Sequence, residues 1–232
     1  MKCLVIDKFL PLLNMNNPAV FIKEPLYFKN KIKVYPPSVR DVISNPKFGQ
    51  YLKVLTLTQE DIQDGFKQKD TQTTVPTPFE FLLINCYHNE DFKTVALQAF
   101  EFFIHEPINF FYEQKMLVVG KLEKVVTDIT RIEELITIKE EEYFDFQNII
   151  REVCGDKPIK PPEPPNPDED PRITAMKAKA RERDRLKARR GASDGISLQT
   201  SLVAICCMGI GITPLNIGEM SYASIGPIMK MS

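Results

Sequence analysis

Two histidines, His88 and His105, and five cysteines, Cys3, Cys86, Cys154, Cys206 and Cys207, are the side chains of this 232-residue chain best suited to hold a metal or act as nucleophiles. Their spacing supports neither role. There is no HExxH, no histidine pair at ligand spacing and no CxxC, so neither zinc binding nor dithiol redox chemistry is expected. Each histidine is expected at the surface or at a helix end. Cys206-Cys207 lies in an apolar run, where thiols behave as small hydrophobes and burial raises their pKa. Gly209-Ile210-Gly211 lacks the third glycine, the lysine and the preceding strand of a phosphate loop, and reads as a helix break. Glu140-Glu141-Glu142 with Asp145 is carboxylate-rich. Consecutive acids on a helix diverge, whereas calcium loops alternate their ligands around a central glycine, so a solvated face is the better reading. No GxSxG elbow occurs, and spacing assembles no Ser, His and Asp triad. The expectation is a protein without catalytic, metal-binding or cofactor-binding residues, and not an enzyme.

The remaining chemistry is charge. Between Arg172 and Arg190 stand nine lysines or arginines, against Glu182 and Asp184 and no glycine or proline. That composition permits a helix but gives it almost no apolar stripe, so the helix must face solvent or a partner. Lys177, Lys179, Arg181, Arg183, Arg185, Lys187, Arg189 and Arg190 form its candidate contact surface. It could neutralise several phosphates, but without interleaved aromatics nucleic-acid binding would be unspecific and salt-sensitive. The other readings are a solvated spacer or docking on an acidic protein surface. The net charge of −1 conceals a division: residues 172–190 carry +7 and residues 191–232 carry −1, leaving −7 on residues 1–171. An acidic body does not itself attract nucleic acid. Seven of the eighteen prolines fall between Pro158 and Pro171, in a stretch that favours an extended arm over helix or sheet.

The elements that would carry these groups alternate. Leu26-Tyr27-Phe28, a turn at Lys29-Asn30 and Lys31 to Tyr35 read as a hairpin with Ile32 and Val34 on one face. Ser38 with Asp41 reads as a capping box opening a helix over Val39 to Ser44; Thr58 with Asp61 repeats the signal, and so does Thr77 with Glu80, where Pro78 takes the first helical position. Helices are expected around Phe48 to Leu55, from Phe79 to Tyr87 and from Asn89 to Ile104. In the last, Phe92, Val95, Ala96, Ala99, Phe102 and Phe103 form the inner stripe. A second hairpin is expected over Ile108 to Val119 around Glu113-Gln114-Lys115. Helical pattern resumes from Thr130 through Ile132, Leu135 and Ile136 and on to Val153, stopped by Gly155. Beyond the basic segment, Ser197 to Met208 and Ser221 to Met231 suggest a helical hairpin around Gly209, Gly211 and Pro214.

The chain therefore reads as an α+β protein: a body at residues 1–157, an acidic proline-rich linker at 158–171, a basic helix at 172–190 and a small helical module at 191–232. The N-terminal apolar run is interrupted by Asp7 and Lys8 and has no small-residue cleavage site, so no signal peptide is expected. The eleven-residue run Leu202 to Ile212 falls short of the ~20 residues that span a bilayer, and no membrane association is expected. The odd cysteine count without paired motifs fits a reducing cytoplasm.

The run KNKIKVYPPSVRDVISNPKFGQYLKVLTLTQEDI, the FFYEQKMLVVG hairpin, the EEYFDFQNIIREVCG helix and the proline-rich then Lys/Arg-rich region resemble, in that order, tail and baseplate assembly proteins of phages of Gram-positive bacteria, including tail assembly chaperones. The resemblance covers most of the chain and rests on order and texture. It implies a non-enzymatic factor, in the host cytoplasm or on the virion, that binds a tape measure protein or a baseplate component and could also self-associate. It would place the contact on the apolar C-terminal positions Leu198, Leu202, Met208, Ile217, Met220, Ile225 and Met229. Methionine-rich, adaptable surfaces suit such partners. The alternative is a nucleic-acid-binding adaptor working through residues 172–190.

Overall fold

The computed structural model describes residues 23–67, 75–121, 136–159, 172, 176, 179–180, 183, 198–208 and 212–229. They build an α+β protein of helices and small antiparallel sheets. β1 (Leu26–Phe28) and β2 (Ile32–Val34) form the expected hairpin, with Leu26 opposite Val34 and Phe28 opposite Ile32. Lys29 and Asn30 take φ of 53° and 57°. Both are left-handed, and the Lys31 amide closes the turn by donating to the Phe28 carbonyl at 3.1 Å. All four of those strand residues are buried, whereas Tyr27 and Lys33 point outward.

Helices follow where the capping residues predict them. α1 (Val39–Ser44) opens on Ser38, whose hydroxyl accepts from the Asp41 amide at 3.1 Å while the Asp41 carboxylate accepts from the Ser38 amide at 2.9 Å. α2 (Phe48–Leu55) and α3 (Gln59–Lys67) come next, the latter with the reciprocal Thr58–Asp61 pair. α4 (Pro78–His88) carries a third box on Thr77 and Glu80, and α5 (Glu90–Ile104) is capped by Asn89. Each box satisfies two amides that the first helical turn leaves without partners.

The expected inner stripe of α5 is rotated. Ala96, Ala99, Phe100, Phe103 and Ile104 are buried, whereas Phe92, Val95 and Phe102 are half-buried. Phe100 turns inward because rings reach it from two sides, Phe146 stacked at 5.7 Å and Phe110 edge-on at 6.1 Å. Phe102 instead meets Phe48 and Tyr51 of α2, each at 5.8 Å.

β3 (Ile108–Phe111) and β4 (Met116–Val119) form the second expected hairpin, and β5 (Ile136–Lys139) joins the free edge of β4. The helix expected to run through Ile136 is here a strand; Thr130, Ile132 and Leu135 lie outside the described residues. Pairing explains the difference, because Leu117 and Val119 sit opposite Ile138 and Ile136, a ladder that local helical spacing does not reveal. β4 is buried at every position: Leu117 is fully enclosed, and Met116 and Val118 pack with Phe111 in a smaller cluster.

α6 (Glu140–Val153) closes the body. Tyr143, Phe146, Gln147, Ile150 and Val153 face inward, and Phe146 meets Phe28 of β1 edge-on at 5.6 Å. Gly155, at φ 81°, ends the helix: its amide reaches the Glu152 carbonyl at 2.9 Å and the Asp156 amide reaches the Arg151 carbonyl at 2.8 Å. This is a Schellman stop, and it needs a left-handed residue where glycine stands.

The chain divides into two compact units, Met1–Pro158 with Leu215–Ser232, and Ile159–Pro214. The separate module expected at 191–232 is therefore split. α7 (Leu198–Cys207) belongs to the second unit, while the two 3-10 turns Ile217–Glu219 and Tyr222–Ser224 and the short α8 (Ile225–Met229) belong to the first. Among the described residues no helix is long and apolar enough to cross a membrane.

Candidate interaction surfaces

The groups that sequence offers for chemistry are placed in structural roles. His105 caps α5 in the left-handed conformation and stacks on Tyr35 at 4.2 Å. His88 ends α4, exposed, with its ring perpendicular to Tyr87. Burial pushes the Cys86 thiol up to about 12 and raises that of Cys154 as well, so both stay protonated at neutral pH. Cys207, expected to be buried in its apolar run, is exposed, and Cys206 is half-buried.

Of the acidic cluster, Glu141 and Asp145 are exposed, as a solvated face requires, and Glu140 and Glu142 make contacts. Glu140 accepts from the Thr77 hydroxyl at 2.8 Å; Glu142 accepts from the Lys139 amide at 3.1 Å and pairs with Lys29. Among the described residues no three of His, Cys, Asp and Glu gather to hold a metal ion.

Of the basic contact surface, Lys179 and Arg183 are described; Lys177, Arg181, Arg185, Lys187, Arg189 and Arg190 lie outside the described residues. Arg172, Met176, Lys179, Ala180 and Arg183 are helical and exposed. Met176 is 72% exposed there, an apolar residue among cations.

The apolar positions are distributed differently from the expectation. Leu198 lies in α7, where Leu202 is buried, Met208 follows half-buried, and Val203 is exposed. Ile217 and Ile225 are buried in the first unit, together with Ile228, and Met220 is half-buried. Met229 ends α8. Ile217 and Ile225 are thus not a free docking face, because residues 215–229 complete the body.

That segment is held as a strap. Ser221 bridges Ser38 antiparallel: the Val39 amide donates to the Met220 carbonyl, and the Tyr222 amide to the Pro37 carbonyl, both at 2.9 Å. Arg40 Nη2 meets Glu219 Oε1 at 2.7 Å, and Tyr222 stands edge-on to Phe48 at 5.4 Å. On the far side Gly155 abuts Ala223 so closely that a Cβ on the glycine would lie 2.9 Å from the Ala223 Cα and carbonyl oxygen. No sequence signal for this exists, since Ser38 and Ser221 stand 183 residues apart and Ser38 advertises itself only as a cap.

Two further surfaces also escaped sequence reasoning. Tyr87, at the end of α4, stacks on Tyr112, in the β3–β4 turn, at 5.0 Å, and both rings are exposed. A cleft of about 590 Å³ is lined by Val54, Ile62, Phe66, Phe81, Ile84 and Phe92, with Lys53 and Asp61 also at its wall. No protein-family model, curated protein or solved structure matches this chain.

Proposed function

We propose that this chain is a non-enzymatic assembly protein of a phage tail or baseplate, acting through protein–protein contacts in the host cytoplasm or on the virion. Its partner is a tail component, a long helical protein such as the tape measure or a baseplate component, and the contact lies in residues 159–214. What supports the reading is Met176, exposed in a stretch whose described cations, Arg172, Lys179 and Arg183, are exposed as well. A bare methionine among cations suits an amphipathic acidic helix, which offers apolar contact and opposite charge together. Ile217 and Ile225 are buried in the body, whereas Met176 and Val203, among the described residues of 159–214, are exposed apolar positions.

The second reading is a nucleic-acid-binding adaptor, favoured by the exposure of Lys179 and Arg183. The two separate in a pull-down from cells expressing the tail genes, with nuclease present and salt raised stepwise. On the assembly reading a helical tail protein stays bound after nuclease and is lost from Met176→Ser as well as from the double variant Lys179→Glu/Arg183→Glu. On the nucleic-acid reading Met176→Ser binds as before, the double variant binds nothing, and affinity for a duplex falls by about 10³-fold or more between 50 and 200 mM salt. Retention of no tail protein by the unmodified chain sinks the assembly reading.

A further inference from the structure

The cleft among α2, α3, α4 and α5 opens where one residue of α3 carries no side chain. Ile62, Gly65 and Phe66 stand three and four residues apart on α3 and line the cleft together, so they share the inner stripe of that helix. Ile62 is buried, whereas Phe66, one turn on, is only half-buried. A Cβ built on Gly65 meets nothing within 4 Å. Neither a positive φ nor a close neighbour calls for glycine at this position, and inside a helix glycine is less favourable than alanine. The opening is therefore a property of the surface that α3 presents rather than a demand of its backbone.

The wall of the cleft limits what can enter it. Val54, Leu57, Phe66, Phe81, Ile84 and Phe92 line it, and all six are half-buried. Its volume of about 590 Å³ lies within the roughly 300–1,000 Å³ of small-molecule sites. Two charged residues, Lys53 and Asp61, stand in the lining, and they are not equivalent. The Asp61 carboxylate accepts from the Thr58 amide at 3.1 Å and from the Thr58 hydroxyl at 2.6 Å, and it lies in the field of the Arg151 guanidinium. The Asn85 side-chain amide donates to the Phe81 carbonyl at 2.7 Å. Lys53, by contrast, is exposed and makes no ion pair or hydrogen bond among the described residues. The lining thus offers apolar contact over most of its surface and one uncommitted cation.

We propose that this cleft binds an amphiphilic monoanion, an alkyl carboxylate whose chain fills the space beside Gly65 and whose carboxylate meets the Lys53 ammonium. The chain supplies the affinity, since each methylene that leaves water contributes about fourfold to the binding constant. The head group supplies the selectivity. The cleft lies wholly within the first unit, so the inference is independent of the tail-assembly reading.

Titration calorimetry of the full chain at low salt tests this, with decanoate and decylammonium each kept below the concentration at which it aggregates. The two probes share one chain length, so their difference reports the head group. Decanoate is expected to bind about fivefold more tightly than decylammonium, although the −7 on residues 1–171 would by itself draw the cation. Lys53→Glu is expected to invert that preference. Gly65→Leu, which should melt no lower than the parent because leucine is the better helix former, is expected to bind neither probe. The proposal is overturned if decylammonium binds as tightly as decanoate, if Lys53→Glu keeps the preference, or if folded Gly65→Leu takes decanoate as the parent does. Failure of both probes to bind the parent also overturns it, in favour of an apolar segment of a partner protein as the occupant.

Discussion

Single side chains decide several features of this body, and Glu80 shows how one residue serves two. Its carboxylate accepts from the Thr77 amide at 3.2 Å, completing the cap of α4, while its other oxygen takes the Lys115 ammonium at 2.7 Å from the turn of the second hairpin. The Lys115 hydrogen bond, then the Thr77 amide, hold the Glu80 carboxyl below its ordinary range. A depressed acid contributes stability that is present above its unfolded pKa and lost as pH falls through its folded value. The pair is largely exposed, so its effect is small and screened by salt. Glu80→Gln should therefore melt slightly below the parent at pH 7. The two melting curves should draw together as the pH is lowered through the carboxylate range, and a gap that widened toward acid would contradict this account.

At the level of elements, α6 holds α2 in place by finishing it. Gln147 is buried and its amide donates to the carbonyls of Leu55 at 3.1 Å and Leu57 at 2.9 Å, while Arg151 Nη2 reaches the Thr56 carbonyl at 2.5 Å. These are carbonyls at and beyond the C-terminal end of α2, which has no further turn to satisfy them. Gln147→Ala should cost about 2 kcal/mol, since it strands buried acceptors and leaves a void, and urea unfolding would measure the loss. A change within 0.5 kcal/mol would mean that water replaces the amide.

The start signals of α1, α3 and α4 were readable because a cap is a local event of four residues, and so was the hairpin at Lys29-Asn30. The aromatic spacing gave the helices their extent. β5 and the inward turn of Phe100 were not readable, because both depend on partners distant in sequence: β4 for the one, Phe146 for the other. The same holds for the candidate surfaces. The cations at Lys179 and Arg183 could be named from composition, whereas the Tyr87–Tyr112 pair joins residues 25 apart and the cleft draws on four helices.

On the scale of the whole molecule, the first unit is interrupted: it runs to Pro158 and resumes at Leu215. Gly155 and Ala223 touch, so chain from either side of the interruption meets within the body. Proteins tolerate insertions at such points, because closing a short loop there costs little. Replacing residues 160–213 by a short Gly/Ser linker should thus leave the first unit folded. Its melting temperature should stay within a few degrees of the parent, with the Tyr222 ring still against Phe48, which aromatic resonances report. Loss of cooperative unfolding in that deletion would show that 159–214 is required for the body to stand.

The same interruption sets an order in time. During synthesis the chain makes α1, α2 and Gly155 well before it makes Ala223, and at the 5–20 residues per second of translation the intervening stretch takes roughly 3–14 s. Helix and hairpin formation are over within microseconds, so throughout those seconds the body waits with Phe48 and the Pro37 to Arg40 backbone uncovered. On one messenger, neighbouring ribosomes would hold nascent bodies in that unfinished state side by side.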